Sequence, residues 1–418
     1  MYSINEVNID HINRLNDIQL SKLLHCLLNN EAEKNSLESY KICVPLKITV
    51  ADGGEDGRIE WVGHPKATTK WLKNKTCLFQ NKATDLPPSK CFEEILEIEV
   101  KNQPRKLKTQ IEEIIHLDGR YILFTNRNLN NKQITERINE FRSAAYEAGN
   151  IKHSTFEVEC YDANLIKDWT NDYVNAVTLV QEFNDIHRPG FMTWERLENT
   201  SKAHENEYQK DETISNNIKL IEESIKIERV LRISGHSGLG KTRLVIESFR
   251  NSNLKKLVVY YDLMGVDNIA EIKNYIISHQ DIQDGIIIVD NCDAKSHNIL
   301  SALTKTNGSL KIITIGLDDN NSITDVKIKL ERNNQREIVK QIIVKKLNSH
   351  TQSDIEYVNK ISEGYPWMAI RFCDSILKEG MYELSKYPMD EFIKKLIFGE
   401  RQDNNEEYNV TTAMMMMF

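Results

Sequence analysis

Leu231-Arg232-Ile233-Ser234-Gly235-His236-Ser237-Gly238-Leu239-Gly240-Lys241-Thr242-Arg243 decides how this chain is read. The run from Val230 to Ile233 leads into Gly-x-x-x-x-Gly-Lys-Thr, and a helical pattern from Leu244 to Phe249 follows. Strand, glycine loop and helix are the context that a phosphate-binding loop requires. Glycines let backbone N–H groups curl around a di- or triphosphate, and the helix directs its positive end at the same anion. Gly235, Ser237, Gly238 and Gly240 are therefore expected to form the cradle, continued by Arg243. Lys241 is expected to reach the β- and γ-phosphates, and Thr242 to give its hydroxyl to Mg²⁺. An accidental glycine-rich turn would not bring both flanks with it.

Three apolar runs follow at βα spacing: Leu257 to Asp262, Ile286 to Asp290 and Ile312 to Gly316. Continuous apolar runs suit parallel strands buried on both faces. The second ends in Asp290, an acid placed to hold the Mg²⁺ of a bound nucleotide, which makes ATP and Mg²⁺ the expected cofactors. Asn291 stands next, where many hydrolysing ATPases carry Glu, so slow turnover is expected; Asp293 is a candidate for orienting water. Thr314 reads equally as a γ-phosphate sensor and as a β-branched core residue. Beyond them, helical patterns at 335–346 and 354–361 precede Gly364-Tyr365-Pro366. Gly-x-Pro ahead of a helix, beyond a P-loop with Gly-Lys-Thr-Arg-Leu, is similar to the STAND class of signalling ATPases. That resemblance implies that the region of Pro366 packs near the adenine. The chain departs from the class in having no clear Arg after the Thr314 strand and no Gly-Arg-Glu before the P-loop.

The 418 residues are 40% apolar and 28% charged with a net charge of −8, so a nucleic-acid surface would have to be a local basic patch. Lys101, Arg105, Lys106 and Lys108 form one such stretch, which reads also as a solvated face. Seven scattered cysteines without a Cys-x-x-Cys pair indicate reduced thiols and a cytoplasmic protein. No apolar run approaches the roughly 20 residues that span a bilayer, so no membrane partner is expected.

In the front part, Leu20 to Leu28 is a helical pattern with Glu31 near its end. A β pattern from Ile42 to Val50 leads through Asp52-Gly-Gly-Glu-Asp56-Gly57 into Arg58-Ile-Glu-Trp61, and Thr76 to Thr84 holds Gln80-Asn81-Lys82. Residues two apart in a strand share a face, which puts Gln80 and Lys82 together with Leu78. A plain hairpin with a solvated face would have the same pattern. Gly-Gly-x-Asp-Gly followed by Gln-x-Lys, after a helix with an acid, resembles the Mrr-like branch of the PD-(D/E)xK nucleases. The resemblance implies a catalytic set of Asp56, Gln80 and Lys82, with Glu31 as the helix acid and a divalent metal on Asp56 and Gln80. A hard cation needs oxygen ligands, and a fixed ammonium stabilises charge developing on a phosphate. Gln80 departs from the commoner acid, and an amide is the poorer ligand.

The expected fold is α/β: a restriction-endonuclease-like domain (1–185), a linker (186–212), a P-loop STAND/ASCE NTPase domain (213–325), a helical subdomain with the Gly-x-Pro motif (326–400) and a tail (401–418). An Mrr-like nuclease joined to a STAND ATPase resembles the antiviral STAND (AVAST) proteins of prokaryotes. That resemblance implies an ATP-gated nuclease acting on double-stranded DNA, and a phage protein as trigger through a C-terminal sensor missing here. It also implies a homo-oligomer, with a tetramer favoured. Two rivals remain: an ATP switch whose first domain is a degenerate nuclease used for interaction, and a restriction-type ATPase that translocates DNA.

Overall fold

A computed structural model describes residues 6–45, 56–64, 69–98, 104–148, 156–186, 190–200, 207–263, 269–278, 285–306, 310–317, 321–322, 324 and 326–379. It is a mixed α/β structure with two sheets. Helices α1 (Ile9–Asn13) and α2 (Asp17–Lys34) come first, then strands β1 (Lys41–Cys43), β2 (Gly57–Glu60) and β3 (Thr76–Lys82). Helices α3 (Pro88–Glu94) and α4 (Thr109–His116) precede β4 (Arg120–Thr125), α5 (Asn131–Glu147), β5 (Glu157–Tyr161), α6 (Ala163–Asn171) and α7 (Val174–Phe183). The first sheet has the order β1-β2-β3-β4-β5, antiparallel through β1, β2 and β3 and parallel from β3 to β5.

Its central strands are buried on both faces, so alternate residues feed two cores. Phe79, Ile122 and Phe124 meet Leu20, Leu24 and Leu27 of α2 with Trp169 and Val177 of α6 and α7. Leu78, Tyr121 and Leu123 meet Cys91, Ile111, Ile114 and Phe141 of α3, α4 and α5. The start of α2 is set by a capping box, Asn16 and Gln19 each accepting the other's backbone N–H.

The second part comprises β6 (Phe191–Thr193), α8 (Trp194–Thr200), α9 (Glu212–Ile227), β7 (Val230–Ser234) and α10 (Lys241–Arg250). After them come β8 (Val258–Asp262), α11 (Ile269–Ser278), β9 (Gly285–Asp290), α12 (Ala294–Thr306), β10 (Leu310–Gly316) and β11 (Val326–Lys329). Sheet order is β11-β7-β10-β9-β8-β6, parallel except for β6. Leu231, Ile233, Ile286, Ile288 and Ile313 pack toward α9 and α10, and Ile287, Val289 and Ile312 toward α11 and α12. Helices α13 (Arg336–Lys346), α14 (Gln352–Ser362) and α15 (Pro366–Glu379) share a separate core around Val339, Ile343, Val358 and Phe372.

The segment expected as a linker at 186–212 differs in part: Phe191, Met192 and Thr193 pair with Tyr261, Tyr260 and Val259 and lengthen the second sheet. The cause is Phe191, whose ring lies 4.3 Å from that of Tyr261 and 5.4 Å from that of Tyr275. The expected helical subdomain likewise opens with a strand, since Val326 to Lys329 pair with β7 before the helices begin. The extended pattern expected to Val50 continues in the structure to Cys43; residues 46–55, the helix expected at 389–398 and the tail at 401–418 lie outside the described residues.

Candidate functional site

Both candidate sites sit at strand ends. In the second domain β7 runs into the glycine loop, where Gly235, Gly238 and Gly240 have φ of +146°, +79° and +85°. Such backbone is strained for any residue with a Cβ. A Cβ on Gly235 would lie 2.5 Å from the Leu330 carbonyl oxygen, whereas one on Gly240 would meet nothing within 4 Å. The loop therefore opens onto free space at Gly240, where α10 begins and its first N–H groups point outward. Lys241 Nζ donates to the carbonyl oxygens of Gly235 (2.9 Å) and His236 (2.7 Å). Burial holds its ammonium below the ordinary pKa, with the Arg232 charge acting the same way and Asp290 opposing.

Thr242 Oγ1 donates to Asp290 Oδ2 at 2.6 Å, and the Tyr260 hydroxyl donates to the same oxygen at 2.8 Å. Burial, reinforced by the Asp290 and Asp262 charges, pushes the Tyr260 phenol far up, so it stays a donor. A hydroxyl and a carboxylate beside an anion cradle are the hard oxygen donors that Mg²⁺ requires. The residues present fit a Mg²⁺-nucleotide: Thr242 and Asp290 would hold the ion, which would neutralise phosphate charge. Arg243, within α10, bridges to Glu247 at 2.8 Å and lies over the Tyr208 ring, so it braces the helix behind the loop. Ser237, at the loop tip, is exposed.

The structure gives three of the expected residues particular surroundings. Asp293 caps α12, its Oδ1 accepting from Ser296 N at 2.6 Å, because an Asp before a helix is drawn to the free N–H groups of the first turn. Thr314 is wholly buried with His297, whose Nδ1 lies 2.7 Å from its hydroxyl, so it is a core residue. Pro366 opens α15, and the next residue brings the helix onto the loop: Trp367 N–H donates to the Gly238 carbonyl at 3.2 Å. Helix α15 thus rests on the glycine loop itself, while Trp367 stays 49% exposed beside Arg371.

Sequence reasoning passed over Arg232. It is 0% exposed in the middle of β7 and donates to the carbonyl oxygens of Cys292 (2.9 Å) and Leu317 (3.4 Å). One guanidinium thereby ties the strand before the cradle to the loops after β9 and β10. Gly316 makes the room, since a Cβ there would stand 2.0 Å from the Cys292 oxygen and 2.6 Å from Arg232 Nη2. An arginine inside an apolar run was the available signal.

In the first domain Gly57 pairs with Phe79, so Asp56 stands opposite Gln80. Gln80 Nε2 donates to Asp56 Oδ2 at 2.5 Å, and Asn81 N–H donates to the same oxygen at 2.8 Å. Gln80 is 2% exposed, and its own oxygen accepts from Tyr121 at 3.4 Å. Lys82, two residues on, pairs with Glu94 at the end of α3 (3.3 Å), and Lys108 approaches the same carboxylate at 4.0 Å. The structure thus brings Asp56 to Gln80 and adds Glu94 to Lys82; Glu94 was missed because nothing in its helix spacing points to β3.

Glu31 does not join them. It is 1% exposed on α2, across the sheet, where it accepts a hydrogen bond from the Tyr173 hydroxyl. It continues the Leu20, Leu24 and Leu27 stripe one turn further along α2, so it stays on the core side that α2 covers, away from Gln80 and Lys82. Among the described residues no group of three or more His, Cys, Asp or Glu could hold a metal ion. As arranged, Asp56 and Gln80 are hydrogen-bonded with nitrogen, not oxygen, turned to the carboxylate. They do not fit a cation until that amide turns over. All seven cysteines are free thiols, and no helix among the described residues is long and apolar enough to cross a membrane.

No family model and no curated protein matches the chain. Solved structures that are similar include the RuvB Holliday junction branch migration motor of Thermotoga maritima, at 15% identity and TM-score 0.32, covering 45% of this chain and 68% of that one. A Walker-type ATPase of Pyrococcus abyssi is similar at 12% identity and TM-score 0.31, over 51% of this chain and 75% of that one. A STAND protein with a tetratricopeptide repeat sensor from Pyrococcus horikoshii is similar at 18% identity and TM-score 0.28, over 51% of this chain and 35% of that one.

Proposed function

We propose that the chain is a STAND-type ATP switch whose N-terminal domain is the output, a metal-dependent DNA endonuclease of anti-phage defence. The observation that carries the switch is the hydroxyl–carboxylate contact of Thr242 and Asp290 beside the glycine cradle, at 2.6 Å. Backbone N–H groups and Lys241 bind the phosphates, Thr242 and Asp290 hold Mg²⁺, and the lid helix α15 senses occupancy through Gly238. For the output, support comes from Asp56 opposite Gln80 and Lys82 beside Glu94 at one end of β3. Turning the Gln80 amide would present oxygen to a cation alongside Asp56. Lys82 would then stabilise charge on the scissile phosphate. Assembly of ATP-bound copies, triggered through a sensor that recognises a phage protein, would set several such ends on one duplex. Multivalent contact would then supply the affinity that a net-acidic chain lacks alone.

The test is cleavage of double-stranded DNA by the full chain with Mg²⁺ and ATP, compared with Lys82→Ala and Lys241→Ala. Loss of cutting in both is expected, with ATP binding kept in the first and lost in the second. Undiminished cutting in both would end the proposal. The second reading, an ATP switch whose first domain is an interaction module, draws on the Asp56–Gln80 pair, which satisfies itself without a cation. It is the one to adopt if the parent chain binds ATP and neither it nor Lys82→Ala cuts DNA.

A further inference from the structure

The nucleotide site has a carboxylate for the ion, and its neighbours are ill suited to the water. Asp290 is engaged by Thr242 and Tyr260 on one oxygen and by the Asn291 N–H on the other (2.7 Å). The following residue is the neutral Asn291, and Asp293 is turned into its helix cap. Asp262 stands where a second acid is needed. It is paired in register with Asp290 at the C-terminal ends of adjacent parallel strands, so the two side chains share one face. That face is the one covered by α10, from which Thr242 reaches Asp290.

Asn291 fixes the arrangement. Its backbone adopts φ of +54°, a left-handed conformation that Asn accepts better than most residues. The turn carries its amide across to β8, where Nδ2 donates to Asp262 Oδ1 at 2.7 Å. The Asp262 backbone is held as well: its N–H donates to Gly190 O at 3.1 Å, and the Leu263 N–H donates to Asp290 O at 3.1 Å. A half-buried carboxylate at a rigid strand end, aimed by an amide, is preorganised in the way catalysis requires.

We propose that Asp262 is the catalytic carboxylate of ATP hydrolysis, with Asn291 as its positioning residue; acid and amide have exchanged strands relative to an acid that directly follows Asp290. This rests on the ATP reading above. Asp262 orients a water toward the γ-phosphorus and takes its proton as the new P–O bond forms. The bond from that phosphorus to the bridging oxygen breaks, ADP carries away the electron pair, and the proton leaves the carboxyl to solvent.

The experiment measures ATPγS affinity and single-turnover phosphate release with Mg²⁺ on the full chain. Asp262→Asn is expected to slow release about 100-fold or more, the scale of a lost general base, while ATPγS affinity stays within about threefold. Asn291→Ala, which keeps the Asp262 carboxylate but removes the amide that aims it, is expected to slow release about tenfold with ATPγS affinity unchanged. Asp293→Asn, which preserves the cap, is expected to keep the parent rate. Release at the parent rate by Asp262→Asn overturns the proposal, as does a loss of ATPγS binding in step with turnover. A parent chain that binds ATPγS and releases no phosphate overturns it too and leaves nucleotide binding standing. One that binds no ATPγS overturns both.

Discussion

The carboxamide of Gln80 can present either nitrogen or oxygen to Asp56, and which one it presents separates a buried hydrogen bond from a cation site. Nitrogen faces the carboxylate here, at 2.5 Å. Gln80→Glu replaces a donor by a second anion. A hydrogen bond to a charged group contributes about 1.5–3 kcal/mol, and like charges at a shared site repel, so the apoprotein is expected to lose at least that much. Mn²⁺ or Mg²⁺ should restore the melting temperature of Gln80→Glu while leaving the parent nearly unchanged; a thermal melt in EDTA and in metal reads both. If neither metal moves the variant, the end of β3 is not a cation site. At this scale the sequence told much about the nucleotide loop and less about the first domain. Gly235, Gly238, Gly240, Lys241 and Thr242 lie in one short stretch, so their geometry is local. Glu94 and Asp262 reach their partners across 12 and 29 residues of chain, and no local pattern announces such meetings.

At the scale of elements, the sheets follow from their apolar runs and the edges do not. The observed β8, β9 and β10 lie on three largely apolar runs, because a strand covered on both faces has no consistently polar side. Strand β6 has three residues inside a polar stretch, and the packing of Phe191 on Tyr261 and Tyr275 holds it against β8. Helix α12 took Asp293 as its cap, which a motif reading assigns to chemistry. The loops after β9 and β10 are joined through Arg232, and that joint leaves no space for a side chain at position 316. Gly316→Ala should therefore force the Cys292 carbonyl or the guanidinium aside. Overpacking of this kind costs about 1–3 kcal/mol, and it should also weaken ATPγS binding, since the displaced loop begins at Asp290. Titration calorimetry and a thermal melt of the same variant check the two effects together. Unaltered stability would mean that the two loops yield independently.

Across the whole molecule, the two sheets are joined through α7 and α2. Val174, the first residue of α7, is fully buried in the core of the second domain with Phe191, Val259, Tyr261 and Ile287, and it lies where a Cβ on Gly285 would touch it at 2.5 Å. Polar contacts seal the same seam. Asn175 donates to the Lys256 carbonyl, Lys256 Nζ donates to Asn29 Oδ1 at 2.6 Å, and Asn253 donates to Tyr40 at 3.2 Å. The domain that carries the glycine loop is thus packed against the N-terminal domain through side chains, which a flexible tether would not permit. His25, half-buried on α2, gives the seam a pH dependence: burial holds its pKa below the ordinary value of 6.5, and Lys256 acts in the same direction. Between that lowered value and 6.5 the unfolded chain binds more protons at this residue than the folded one, so stability falls as pH falls through the window. His25→Gln should flatten that part of the pH–stability curve. Burying a Val side chain is worth about 1.5–3 kcal/mol, and a carboxylate in its place would be far costlier. Val174→Asp should therefore split what is expected to be a single unfolding transition into two: one followed by the fluorescence of Trp71 and Trp169, which stack at 5.5 Å in the first domain, and one shifted upward by ATPγS. In the parent chain ATPγS should raise both signals together. Two separate transitions in the parent would mean that nucleotide binding has no mechanical purchase on the first domain.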